Sequence, residues 1–404
     1  MTSDESFVNS SCDAWIELNL ENLGWNLDRI REKVQVPIMA VVKANGYGHG
    51  VVEVGRYLDE REVDHLMVCK LQEAVRLRDA GVTCPILNFG PFCARDADVL
   101  VEQDIAQSVF SEEVHSLNRA ALKIGKRARI HIHIDAGMGR VGVSYRDALS
   151  FLEEAASLEG IHIVGTSMAL TEDGEFDRDL IQRFLTLCHE VEKRGIALGL
   201  KHAASSDGIL TSPSSYLDMV RPGILLYGCY PSEKTRQEAQ LALRPVLQLK
   251  SRVIAVKTLL PGDSVSYHRA YTARERETYA VIAIGYSDGY PVKAAGKGFV
   301  LIQGERFPII ARVTANHIAV LLKPDVPIKP GDEVVLIGAQ GKERISAVEA
   351  ARWGDVTVYQ LLARLNPLLP RQVLDGAQPA YQMPERAMIE QSFAHIVPER
   401  DVGS

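Results

Sequence analysis

"PIMAVVKANGYGHG", residues 37–50, runs from an apolar stretch into a lysine and a glycine-rich turn, and its reading decides the fold. Ile38 to Val42 have the continuous apolar character of a strand buried on both faces. Lys43 follows directly, with Gly46, Gly48 and Gly50 spaced around Tyr47 and His49. A lysine in that place anchors an anion, forms a Schiff base with an aldehyde if its pKa is lowered, or simply reaches solvent where a strand ends. Taken alone, the stretch favours the solvated end.

Similar short apolar runs recur downstream. They are "HLMVC" (65–69), "PILNF" (85–89), "IAQSVF" (105–110), "RIHIHID" (129–135), "IHIVGTS" (161–167), "LGLKHAA" (198–204) and a weaker "YLDMV" (216–220). Amphipathic helical stretches lie between them, such as "DRDLIQRFLTLCHEVEKRG", which ends in a cationic turn and glycine. Strands alternating with helices in this way predict an α/β fold, a (β/α)8 TIM-type barrel over residues 14–240. The competing open, doubly wound sheet usually carries G-x-G-x-x-G after its first strand, and none is present. In a barrel, Lys43 sits at the C-terminal mouth, where active sites are built. From about residue 245 the texture changes to β-rich runs broken by Gly, Pro and charged turns: "VLQLKSRVIAVKTL", "YAVIAIGY", "FVLIQGERFPIIARV", "HIAVLL" and "DEVVLIG". These predict a mostly antiparallel β domain over 241–384, leaving 1–13 and 385–404 as peripheral termini.

The length of 404 residues suits two domains, and 46% hydrophobic with 24% charged residues is an ordinary globular composition. A net charge of -7 without Lys/Arg blocks argues against nucleic acid or an anionic membrane as partner. No stretch approaches the roughly 18 apolar residues that cross a bilayer. The polar, acidic start "MTSDESFVNSSCD" has no signal-peptide pattern. Six scattered cysteines without a C-x-x-C pair fit a reducing cytoplasm.

"HAASSDG" (202–208) and "VRPGILLYG" (220–228) fall after the seventh strand and around the eighth, where barrels often hold phosphate. Ser206 offers a hydroxyl, and Gly223 lets backbone come close to an anion. A capped helix and a Pro-Gly turn are the plainer account of each; their joint location favours the functional one. In "IHIHID", His131, His133 and Asp135 share one face of a strand. That pattern suits zinc or iron, but no further His/Asp cluster completes a site, so a hydrogen-bonded polar face is expected and no metal.

Together, "VVKANGYGHG", "DAGMGRVG", "HAASS", "MVRPGILLYG", "VSYHRAYTA" and "IGYSDGYP", in that order, resemble the alanine racemase family, from about Trp15 to Arg371. That family binds pyridoxal 5'-phosphate on a barrel followed by a β domain and works as a head-to-tail homodimer. The resemblance implies an amino-acid racemase in which Lys43 carries the cofactor and is the base on one face of Cα. Tyr267, supplied by the second subunit, is the base on the other. Arg221 faces the pyridine nitrogen, with His202 behind it, and Arg140 lies near the cofactor phenolate and the substrate carboxylate. Tyr47, Ser206, Gly223, Ile224 and Tyr359 contact the phosphate, while Tyr286, Ala315 and Asn316 line the substrate side.

Several positions depart from the family pattern. His133 replaces a lysine that is often carbamylated, Ser167 replaces a histidine beside the cofactor ring, and Ser205 replaces an asparagine. Thr314, Ala315 and Asn316 stand where the family has Cys-Met-Asp, and Val292 where it has arginine. These changes spare Lys43 and the phosphate contacts and cluster around the substrate. The expectation is a racemase for an amino acid other than alanine, such as serine. The alternatives are a decarboxylase or eliminase with the same cofactor, a non-catalytic cofactor-binding protein, and a metallohydrolase using His131, His133 and Asp135.

Overall fold

The computed structural model describes residues 14–374. The terminal stretches 1–13 and 385–404, and residues 375–384 at the end of the expected β domain, lie outside the described residues. The first described strand, β1 (Trp15–Leu18), belongs to the second of two large sheets. The first sheet begins with β2 (Met39–Val41) and continues through β3 (His65–Val68), β4 (Ile86–Asn88), β5 (Ile105–Val109) and β6 (Ala128–Asp135). A short β7 (Val143–Ser144) pairs at the edge of β6, and β8 (Ile161–Ser167) and β9 (Leu200–His202) complete the series. Every pairing among these strands is parallel.

The eighth barrel strand is reduced to two bridges, Met219 to His202 and Val220 to Ile38, which close the ring. It stays short because Leu217 is left-handed (φ 52) and Pro222 has no N–H to continue a ladder. Alternation along β6 sorts its side chains: Ile130, Ile132 and Ile134 are 0% exposed in the apolar core, while His131 and His133 make polar contacts across the sheet. Helices fill the crossovers. The longest, Gly174–Lys193, starts where Asp173 accepts the N–H groups of Glu175 and Phe176.

The second sheet is built on β10 (Leu247–Leu259), a 13-residue strand. A small hairpin of β11 (Ser264–Val265) and β12 (Tyr271–Thr272) follows. Then come β13 (Glu277–Ile282), β14 (Phe299–Ile302), β15 (Glu305–Ile310), β16 (Ile318–Leu321), β17 (Glu333–Gln340), β18 (Glu343–Ile345) and β19 (Arg371–Val373). The order β17-β14-β15-β16-β13-β10, with β17 pairing back on β10, is a closed antiparallel barrel. β1 runs antiparallel to β10, and β19 runs parallel to β1. Residues 15–18 therefore pair with the C-terminal sheet, although their place in the chain puts them with the barrel. The hydrogen-bonding edge of β10, not sequence order, decides this.

Candidate active site

Past β2 the chain makes a tight turn through Ala44, Asn45, Gly46 and Tyr47, all left-handed (φ 55, 56, 61 and 50). Such a run costs about 1 kcal/mol or more at each non-glycine residue, so neighbours must hold it. Glu73 Oε1 accepts the Asn45 N–H (2.8 Å), and Asn45 Oδ1 accepts the Val51 N–H (3.0 Å). The buried His49 ring places Nδ1 3.0 Å from both Gly46 O and Tyr47 O. Two carbonyls on one nitrogen require that nitrogen to carry the proton. Burial lowers the His49 pKa to about 4, so the ring is neutral at ordinary pH. It also packs on Tyr227 (4.5 Å between centroids), whose hydroxyl donates to Val41 O. Lys43 is thus half-buried at the barrel mouth on a fixed platform. Sequence reasoning assigned no task to Glu73 or His49, because both act on backbone atoms rather than on a recognisable motif partner.

Tyr47 lies against Tyr227 and Tyr359, with centroids 5.2 and 6.2 Å away. Its hydroxyl points at residue 223, where an added Cβ would be 2.7 Å from it. The same Gly223 N–H donates to Ser206 Oγ (2.9 Å). Ser206 accepts there, so its own proton is available to a ligand oxygen. Burial raises the pKa of the Tyr47 and Tyr359 phenols, which stay protonated donors. A hydroxyl pair beside a glycine backbone fits a phosphate, and Ile224, next in the chain, is fully buried. Replacing Gly223 by alanine is expected to weaken cofactor affinity by about 1–3 kcal/mol, roughly 5- to 150-fold in Kd, measured by equilibrium dialysis.

Arg221 is buried, and both of its terminal nitrogens are engaged. Nη1 donates to His202 O (2.7 Å) and lies 2.6 Å from His202 Nδ1, and Nη2 donates to Met168 O and Ala203 O (2.9 and 2.8 Å). Arginine only donates, so His202 Nδ1 accepts and its Nε2 carries the proton. That proton points at His131 Nδ1, 2.9 Å away. Burial, then the Arg221 charge, holds His202 well below its usual pKa, and burial takes His131 to about 3. Both rings are neutral links. Gly165 makes room for the arrangement, since a Cβ there would meet His131 Nδ1 at 2.2 Å. Burial also lowers the pKa of Arg221 to about 10, which still leaves it charged at neutral pH.

The neighbouring pair is His133 on β6 and Ser167 on β8, which face each other in the strand register. His133 Nδ1 is 2.9 Å from Ser167 Oγ, and both residues are buried. Phe89 packs nearly perpendicular to the imidazole (4.8 Å between centroids, 74°). Burial and the guanidiniums of Arg221 and Arg140 push the His133 pKa to about 3. His131, His133 and Asp135 therefore serve three separate partners. Asp135 Oδ1 accepts the Gly137 and Gly139 N–H groups (2.9 and 3.0 Å) and shapes the loop that presents the exposed Arg140.

The remaining expected residues lie on the β domain. Tyr267 sits between Ser266 (φ 70) and His268 (φ 57) on the tip joining β11 to β12, 72% exposed. Tyr286 is 54% exposed, Ala315 half-buried and Asn316 exposed. Among the described residues, none pairs with the Tyr267 hydroxyl. A single chain thus gathers Lys43, Tyr47, Ser167, His202, Ser206, Arg221, Gly223 and Tyr359 near one mouth and leaves Tyr267, Tyr286, Ala315 and Asn316 facing outward.

Residues 18–231 match the family described as "Alanine racemase, N-terminal domain", and 246–373 match "Alanine racemase, C-terminal domain". The alanine racemase of Symbiobacterium thermophilum is 35% identical over 363 residues, 88% of this chain and 96% of that protein. The solved alanine racemase of Clostridium difficile 630 superposes with a TM-score of 0.84 at 32% identity, covering 90% of this chain and 96% of that one. The histidine racemase of Leuconostoc mesenteroides subsp. sake has a TM-score of 0.83 at 26% identity, covering 90% and 99%. Matched in both halves, in order, and over most of its length, the chain belongs to the alanine racemase family.

Proposed function

We propose that the chain racemises an amino acid bearing a side chain other than methyl, in a head-to-tail homodimer whose sites each combine Lys43 of one copy with Tyr267 of the other. The observation that carries this is the convergence of Lys43, Tyr47, Ser206, Gly223 and the His202-pinned Arg221 at one barrel mouth, with the second base candidate exposed elsewhere. Pyridoxal 5'-phosphate, the cofactor of this family, withdraws electrons from Cα and makes its proton acidic. Tyr47 and Ser206 hold the phosphate by hydroxyl donation. Lys43 exchanges a proton on one face of Cα and Tyr267 on the other, so that either enantiomer is accepted and either released. Arg221 is fixed by four hydrogen bonds and offers its remaining N–H to the ring nitrogen without giving up a proton. A donor that keeps its proton there would favour proton return to Cα over bond cleavage elsewhere. Arg140, on a loop pinned by Asp135, holds the substrate carboxylate, and Ser167, bound to His133, borders the ring.

The dimer reading is supported by the β-domain surface. Tyr267, Tyr286, Val292 and Leu368 are large apolar side chains exposed by 72, 54, 54 and 86%, and a second copy would cover them. Free Cys69, Cys84, Cys93, Cys188 and Cys229 suit a reducing cytoplasm. No described helix is long and apolar enough to cross a membrane.

The test is a spectrum followed by a chiral screen. Protein with added cofactor should show the visible band of a lysine-bound pyridoxal at about 420 nm, and at least one amino acid should yield its enantiomer. A missing band, or CO2 release without enantiomer formation, overturns the reading. Alanine preferred over every other amino acid would overturn the substrate part alone.

A further inference from the structure

Two loops of the β domain, 285–289 and 314–317, are bound to each other at close range. The Tyr286 N–H donates to Thr314 O (2.9 Å), the Ser287 N–H to Ala315 O (3.0 Å), and Asn366 Nδ2 to Ser287 O (2.9 Å). A side-chain relay lies within this lock. Ser287 Oγ donates to Ala315 O (2.6 Å), and Asn316 Nδ2 is 2.8 Å from Ser287 Oγ. A hydroxyl has one proton. With it committed to Ala315 O, Ser287 Oγ can only accept from Asn316, so the NH2 of the carboxamide is the group turned inward. The Asn316 side chain is exposed, and its carbonyl oxygen takes no hydrogen bond among the described residues. The wall formed by Ala315 and Asn316 therefore shows an uncharged acceptor in a fixed orientation, next to a side chain no larger than methyl.

We propose that Asn316, oriented by Ser287, selects substrates whose side chain carries an O–H or N–H donor, with serine the shortest natural member. The proposal rests on the racemase reading above, which brings this wall to the mouth of the other copy. A donor on the substrate satisfies the carbonyl oxygen, whereas an apolar group of the same size would desolvate that oxygen without replacing its hydrogen bond to water. A carboxylate side chain would set acceptor against acceptor and be disfavoured further. Ala315 leaves the space that such a side chain needs beyond Cβ.

The informative comparison is serine against 2-aminobutyrate, which replaces the hydroxyl by a methyl at nearly the same volume. Wild-type protein loaded with cofactor is expected to show kcat/KM for serine at least about tenfold above that for 2-aminobutyrate. Asn316→Leu should bring the ratio to about one. Ser287→Ala should lower it with Asn316 still present, because the carboxamide is then free to turn, and Ser287→Thr should restore it. A wild-type ratio near one, or a ratio unchanged in Asn316→Leu, overturns the proposal while leaving the racemase reading intact. Failure of that reading shows differently, as absence of the visible band or of any racemisation, and takes the proposal with it.

Discussion

Lys43→Ala is expected to lose racemisation by at least about 10⁴-fold, since both the covalent anchor and one of two proton carriers disappear with the amine. The visible band should vanish on the same substitution, while phosphate-driven binding through Tyr47 and Ser206 persists in weakened form. The fold should not suffer. The left-handed turn after Lys43 is held by Glu73 on the Asn45 N–H, by Asn45 on the Val51 N–H and by His49 on two carbonyls, and none of these bonds uses the lysine. A change in unfolding free energy beyond about 0.5 kcal/mol would contradict that account. Retention of the band in the variant would remove Lys43 from its assigned role.

Tyr267→Phe should leave the band intact and reduce kcat by about 10²–10⁴-fold, the range of a lost proton-transfer group. Deletion of one of two bases has a recognisable signature. Exchange of the α-hydrogen with deuterated solvent should survive for the enantiomer whose proton faces Lys43 and fail for the other, so exchange and racemisation part company. Mixing the two inactive variants adds a sharper check. In a head-to-tail dimer, one Lys43→Ala chain paired with one Tyr267→Phe chain rebuilds a single intact site, drawing Tyr267 from the first and Lys43 from the second. Recovery of activity on mixing supports shared sites; none after demonstrated subunit exchange would place both bases within one chain. The 72% exposure of Tyr267 is the observation at stake.

Much of the barrel was legible because seven of its strands are short, mostly apolar runs between amphipathic helices, a pattern set by burial of the sheet. The eighth was faint in sequence for the same reason that it is short in space: a left-handed Leu217 and Pro222 leave Met219 and Val220 only one bridge each. The pairing of β1 was not legible, since four residues carry too little periodicity to choose between two sheets. The places of Lys43 after the first barrel strand, and of Ser206 and Gly223 after the later ones, were legible as well. The contact between His133 and Ser167 depends on register between two strands separated by a helix, and sequence yields each residue without their meeting. The orientation of Asn316 was least accessible, because the direction in which it turns its carboxamide is fixed by the single proton of Ser287.

The placement of β1 bears on truncation at the far end of the chain. Its partners are β10 and β19, with Leu18 opposite Leu247 on one side and Val373 on the other. Among the described strands, the first in order is thus covered on one edge by β10 and on the other by the last. A chain that stops before Arg371 would keep the pairing with β10 but leave the second edge of β1 open, and an open strand edge recruits other chains.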